Sequence, residues 1–173
     1  TLGLGDRLGL AASGHIRAVA ERGAFPVLAQ QSMRELNLTG RTYEEVLAAA
    51  AFGVFAEGWK EGYGADGDHL KTAREIEYAL GCGFTMITLD CSEHIENRYF
   101  TLGERDCATA YAELDPGLRR RYETKYLGCR FDAAGAVIEI GVAELARIVL
   151  TYAKAVDYTV DVYNSTLRGR DID

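Results

Sequence analysis

The sequence predicts an α/β fold built on a parallel sheet, and three observations carry that expectation. Between residues 13 and 90, short apolar runs alternate with helical stretches. Two of these stretches open on the same device, a Thr followed three residues later by Glu: Thr42 with Glu45, and Thr72 with Glu75. Glycines stand where helices should stop, at Gly23 and at Gly81 and Gly83, each just ahead of a new apolar run. Strand, loop, capped helix, glycine, strand is how βα units feeding a parallel sheet read.

The first strand is placed within Leu2 to Leu10, a glycine-rich stretch assigned because the following helix needs something to connect to. Ser13 is expected to cap a helix carrying Ile16, Val19 and Ala20. Phe25 to Gln30 reads as a buried strand. The helix opened by Thr42 is expected to bury Val46, Ala50 and Val54 beside Leu47, Ala51 and Phe55. Tyr63 to Leu70 is a second glycine-rich strand, and the helix after Thr72 carries Ile76, Ala79 and Leu80. Phe84 to Asp90 is the clearest strand of the chain. Residues 1–95 therefore read as four βα units. Residues 96–137 break the rhythm as a charged, partly helical insertion, with Asp115-Pro116 as a helix start and Tyr122 and Tyr126 on one face. Residues 138–173 read as a long helix from about Val142, with Leu145, Ile148, Val149, Tyr152 and Val156, running toward Asn164 and a further strand. Four units are half of a (β/α)8 barrel, which takes about 250 residues. A flavodoxin-like sheet would need a fifth parallel strand that the pattern does not supply.

Composition limits the function classes. The 173 residues carry 19 basic and 26 acidic side chains, a net charge of −7, and 48% hydrophobic residues, which suits a folded globular domain. A chain this long can bury roughly 70% of its unfolded surface without a disulfide framework. The negative charge argues against a nucleic-acid or anionic-membrane surface, since Arg119 to Arg121 is the one basic run. No run approaches the roughly 20 apolar residues of a membrane span, and no charged leader precedes an apolar segment, so a cytoplasmic protein is expected. Cys82, Cys91, Cys107 and Cys129 lack metal-binding spacing and are expected as free thiols. The missing initiator Met and the abrupt end at Arg170 to Asp173 suggest a fragment.

In parallel α/β folds, reactive groups collect just past the C-terminal ends of the strands. That rule selects Asp6 and Arg7, then Gln30, Gln31 and Ser32, then Asp66, Asp68 and His69, then Asp90 with Ser92, Glu93 and His94. The densest group is Gly64 to Lys71, with two carboxylates, an imidazole and an ammonium. Carboxylate with imidazole suits a divalent ion such as Zn, Ni, Mn or Fe, with a neighbouring carboxylate free to move protons. The same run also serves as ordinary turn chemistry before a capped helix, and both readings stand at this point. An EF-hand loop is excluded by the Gly and Glu positions, and Gly3, Gly5 and Gly9 miss the dinucleotide spacing. His15, in a first helical turn, and His94 read as supporting rather than ligating groups. Cys91 has only His94 as a nearby base and reads as a tolerated thiol. Trp59 and the Tyr122 and Tyr126 pair read as packing residues.

With these residues assembled, the chain resembles the tagaturonate epimerase family. The resemblance runs through Leu4 to Ala11 with Gly14-His15-Ile16-Arg17-Ala18, Ala29 to Ser32 with Arg34-Glu35-Leu36, and Gly53-Val54-Phe55 with Glu57-Gly58-Trp59. It continues through Gly64 to Thr72 and Gly83-Phe84-Thr85 to Asp90, and is loose beyond residue 96. It implies a metal-dependent (β/α)8-barrel epimerase interconverting tagaturonate and fructuronate, with this chain as the N-terminal half. Another catalytic acid and further metal-binding histidines would then lie downstream of residue 173. Asp68 is carried over as the base and His69 as a ligand of a divalent metal. Arg7, Gln30, Gln31, Asp66 and Lys71 would bind the sugar acid, with His15 and Asp90 supporting them from behind. Ala12-Ser13 stands where the family often has Thr-Pro, and Gly67 where Ala is common. Both departures adjoin site residues and are expected to bear on substrate preference. The partner implied is a small sugar acid, without nucleic acid or membrane, and a homo-oligomer is possible. The competing expectations are a non-catalytic fragment of a barrel enzyme, and a metal-dependent keto-sugar aldolase or isomerase.

Overall fold

A computed structural model describes residues 1–170 and 172. The chain divides into two compact units, Thr1–Asp90 with Asp161–Asp173, and Cys91–Val160. In the first unit, strands β1 (Leu2–Gly5), β2 (Pro26–Ser32), β3 (Gly64–Leu70) and β4 (Met86–Leu89) form one sheet in chain order, every neighbouring pair parallel. Parallel neighbours need a crossover connection, and helices provide it. Helix α1 (Ala12–Ala20) follows β1, α2 (Met33–Thr39) and α3 (Tyr43–Ala56) follow β2, and α4 (Ala73–Cys82) follows β3. The mixed α/β class with a parallel sheet agrees with the sequence pattern. Within the described residues β1 and β4 are each paired on one side only.

Helix starts in this unit are fixed by short-range hydrogen bonds. Thr42 and Thr72 form the expected capping boxes with Glu45 and Glu75. A third box, Ser32 with Glu35, opens α2, a helix the periodicity had not indicated. Such a cap contributes about 0.5–2 kcal/mol. Ser13 is not a cap. Helix α1 begins at Ala12 and has no side-chain cap, and Ser13 lies inside it. The chain is turned into α1 by Asp6 instead, whose carboxylate accepts from the backbone N–H groups of Leu8, Gly9, Leu10 and Ala11. This ends β1 at Gly5, short of the stretch to Leu10.

Ile16, Val19, Leu28, Val46, Leu70, Ile76 and Ala79 make the core of the unit. Each large aliphatic side chain so buried contributes roughly 1.5–3 kcal/mol. Helix α3 buries Tyr43, Val46, Ala50 and Gly53, a stripe displaced from the expected one. Ala51 is exposed and Phe55 is 82% exposed. The reason is a close crossing with α1: a Cβ on Gly53 would stand 2.6 Å from Ala12 Cβ and 3.2 Å from Ser13 N.

In the second unit, one-turn helices at Ser92–His94 and Asn97–Phe100 precede α5 (Glu104–Ala112) and α6 (Pro116–Tyr126). Asp115 caps α6 with Pro116 in its first turn, as the sequence indicates. An unanticipated antiparallel hairpin follows, β5 (Arg130–Ala133) and β6 (Ala136–Glu139). Its two turn residues, Ala134 and Gly135, have φ of 49° and 87°, the positive values a type I′ hairpin turn needs. The long helix α7 spans Val142–Val162 and passes into a π turn at Tyr163–Leu167. Cys107, Tyr111, Leu145, Ala146, Val149 and Leu150 form the core here, with Tyr122 and Tyr126 packed against it. The four cysteines are free thiols. Among the described residues no helix is long and apolar enough to cross a membrane.

Candidate active site

The parallel register brings the C-terminal ends of the strands to one side of the sheet, and the polar run of β3 ends there. Its pairing with β4 keeps step from Asp66 to Gly67, then slips before Leu70. A register slip of this kind re-aims the side chains inside it, here Asp68 and His69. His69 adopts φ of 52°, a left-handed conformation costly for a residue with a Cβ. Its ring, on a largely exposed side chain, lies between two carboxylates: Nε2 is 3.7 Å from Asp68 Oδ2, and Nδ1 is 3.9 Å from Asp90 Oδ2. Lys71 Nζ stands 3.8 Å from that same Asp90 oxygen. All three separations are longer than hydrogen bonds, and the two to His69 are ion pairs only with its ring protonated. Burial pushes the Asp68 carboxyl above its ordinary value, against the pull of His69 and with the help of Asp66 and Glu35. A carboxylate raised in this way is a better proton acceptor.

Two residues earlier on β3, Asp66 is 1% exposed. Its Oδ2 accepts from Thr88 Oγ1 at 2.8 Å and from Gln30 Nε2 at 3.3 Å. Three adjacent strands thus meet on one carboxylate, since Gln30 pairs with Asp66 across β2 and β3. Thr88 was not among the residues selected from the sequence. The signal for it was available, because it stands two residues before Asp90 and so shares a face with it. Knowing that it meets Asp66 required the register.

The other selected residues are placed differently. Gln31 is fully buried. It pairs with Gly67, whose Cβ direction points to Ala79 of α4, so Gln31 faces the helix layer, opposite Gln30. There its Nε2 donates to the Asp6 carbonyl at 2.7 Å, and Tyr43 donates to its own carbonyl at 3.2 Å. Burial, with the charges of Glu75, Asp66 and Asp68, pushes the Tyr43 phenol up, which keeps it a donor. Asp6 feels burial, but its four backbone donors, that of Ala11 foremost, outweigh it and hold the carboxyl below the ordinary 3.8. Arg7 Nε is 2.5 Å from Glu35 Oε1, on a side chain 78% exposed. His15 lies in the second turn of α1, with Nδ1 buried and lacking a hydrogen-bond partner. Ser32 is engaged in its cap. His94 belongs to the second unit, where it stacks on Tyr158 with ring centroids 4.0 Å apart, and Cys91 Sγ there is 3.2 Å from Thr159 Oγ1.

Both departures from the family pattern concern packing. A Cβ on Gly67 would stand 2.9 Å from Leu70 Cδ1 and 3.1 Å from Ala79 Cβ, so glycine fits the approach of β3 to α4. Ala12 is buried against Gly53.

The donor types around His69 suit a divalent cation that takes nitrogen and oxygen. Among the described residues, however, no three His, Cys, Asp or Glu side chains are arranged to hold one. His69 and its carboxylate neighbours are therefore a partial set, and a closed or catalytic centre takes three or four protein donors.

A parallel α/β sheet with acid, imidazole and ammonium at its strand ends defines an α/β protein with a polar candidate site at the ends of its strands. A family model described as tagaturonate epimerase (UxaE) matches residues 1–173, and the chain belongs to that family. It is 40% identical over 164 residues to the tagaturonate/fructuronate epimerase of Thermotoga maritima, covering 94% of this chain and 33% of that protein. Crystal structures of the fructuronate-tagaturonate epimerase UxaE from Cohnella laeviribosi, native and with glycerol bound, are 48% identical to it. They superpose with a TM-score of 0.93 over 99% of this chain and 35% of theirs. The chain thus spans about a third of the length of these relatives.

Proposed function

We infer that these residues form the first four βα units of a (β/α)8 barrel, in a metal-dependent epimerase that interconverts tagaturonate and fructuronate. The observation that carries the reading is the Asp68 and His69 pair, held in a register slip at the strand ends with His69 in a left-handed conformation. Strained backbone persists where surrounding structure enforces it, and such positions cluster at functional sites. The sheet edges at β1 and β4, each paired on one side only among the described residues, are what a closed barrel would cover. The net charge of −7 supports a small-molecule enzyme without nucleic-acid or anionic-membrane partners, and a cytoplasmic location is part of the same proposal.

The two sugar acids differ at a carbon β to the ketone, whose C–H that carbonyl does not acidify, so simple enolisation cannot invert it. A retro-aldol route can. Asp68 takes the proton of the hydroxyl on that carbon, the bond to the α carbon breaks, and the aldehyde fragment turns over before the bond re-forms. His69 would hold a divalent cation of the Zn, Ni, Mn or Fe kind, with further donors from the part of the family's length not represented here. A cation held there would supply Lewis-acid polarisation of the substrate's oxygens. Lys71 and Arg7 offer positive charge to the uronate carboxylate. Gln30 and Asp66 contact hydroxyls, and Gln31 and His15 position the loop and helix behind them. Asp90 restrains His69 and Lys71.

The test is an NMR assay of the full-length gene product with tagaturonate in D₂O, with added divalent metal and with a chelator. Fructuronate formed only with metal, its inverted carbon keeping protium, is the expected result. Deuterium at that carbon would sink the retro-aldol route, and three-carbon products in place of fructuronate would indicate an aldolase.

A further inference from the structure

Strands β2 to β4 carry a chain of polar side chains across one face of the sheet. Thr88 on β4 and Gln30 on β2 both donate to Asp66 Oδ2, at 2.8 and 3.3 Å. Beneath the Gln30 amide lies Gly3 on β1, where a Cβ would stand 3.1 Å from Oε1 and 3.4 Å from Nε2. The backbone of Gly3 is not left-handed, and a Cβ there would press on the Gln30 amide. Because both donors converge on one oxygen, the other, Asp66 Oδ1, is buried without a hydrogen-bond partner. Buried carboxylate oxygens are rarely left in that state. Asp66 also stands two residues before Asp68, and on the β2 side the register runs unbroken past both, which keeps Asp66 on the same face as the proposed base.

We propose that Thr88 is a positioning residue: with Gln30 it fixes the Asp66 carboxylate so that Oδ1 accepts a hydroxyl of the sugar-acid substrate beside Asp68. The proposal rests on the epimerase reading and extends it to a residue on β4 that acts only through Asp66. Gly3 takes part by leaving space for the second donor. The arrangement suits a polyol chain, since a carboxylate oxygen with no donor of its own accepts a hydroxyl and repels a second carboxylate.

The full-length gene product provides the test. Thr88→Val removes the hydroxyl while keeping the shape and β propensity of the side chain, Thr88→Ser keeps the hydroxyl, and Gly3→Ala displaces the Gln30 amide. Thr88→Val should raise KM for tagaturonate about tenfold with a smaller change in kcat, as expected for one lost substrate hydrogen bond. Thr88→Ser should return KM to within about twofold of wild type, and Gly3→Ala should move it in the direction of the valine variant. An unchanged KM in Thr88→Val, or a serine variant as impaired as the valine one, overturns the proposal. Should the wild-type protein turn over neither sugar acid, the epimerase reading falls, and direct titration with tagaturonate decides the clamp. Weaker binding by the valine but not the serine variant supports it, whereas equal binding by all, or none by wild type, overturns it.

Discussion

Two non-glycine residues have left-handed backbone among those described, His69 in the first unit and Ala134 in the second, with φ of 52° and 49°. The conformations are nearly equal and the surroundings are not. Ala134 sits in a two-residue turn between β5 and β6, every residue of which is exposed, and the right-handed twist of the hairpin accounts for its φ. His69 is not in a hairpin. It lies in a register slip of a parallel sheet, between Asp68 and Asp90, and there the left-handed backbone presents an imidazole to two carboxylates. The same backbone conformation therefore sits in an exposed turn in one unit and, in the other, in a register slip where charged side chains converge. That contrast makes His69 the residue to test.

The largest effect expected is at the base beside it. Asp68→Asn should lower turnover of tagaturonate by about 10²–10⁴-fold, the usual worth of a positioned general base, with thermal unfolding little changed. Loss of folding instead would mean that Asp68 is structural, as turn chemistry would have it. Packing in the first unit comes next. Gly53→Ala forces α1 and α3 apart and should cost about 1–3 kcal/mol, read as a lower denaturation midpoint at unchanged slope.

Asp6 separates structural from chemical carboxylates by pH. Its folded pKa lies below the ordinary 3.8, so its stabilisation is complete above the unfolded value and is lost as pH falls through the folded one. Asp6→Ala should therefore cost on the order of 1–3 kcal/mol at neutral pH, and the gap to wild type should close on acidification below about pH 4. A gap that stays constant between pH 6 and pH 2 would mean that the charge of Asp6 is immaterial. The smallest effect belongs to the hairpin: Ala134→Asn should slow amide exchange across β5 and β6, a gain of about 0.5–1 kcal/mol, with no change in turnover.

How much of this was legible in the sequence depended on how local the controlling contacts are. The boxes at Thr42 and Thr72 span four residues each and precede long helices, so they stand out. Ser32 makes the same box, but it is also the last residue of β2, and the seven-residue α2 behind it is too short for a period to show. Ser13 resembles a cap in the sequence, but the control of α1 comes from Asp6, outside the helix altogether. The hairpin leaves little trace in the sequence because neither strand is buried, so no alternation marks it, and its Ala-Gly turn lacks the usual Asn or Asp. In the site, Asp68, His69 and Lys71 were legible as a dense polar run. The separation of Gln30 from Gln31 and the role of Thr88 depend on register, which neighbouring strands set and no single stretch of sequence displays.

The most direct test is His69→Gly in the full-length gene product, with unfolding temperature and tagaturonate turnover measured on the same sample. Glycine accepts the left-handed backbone without cost, so stability should hold or rise while turnover is lost. A variant that turns over tagaturonate at the wild-type rate, or one that is inactive only because it unfolds, would contradict the view that this backbone is kept strained for the site.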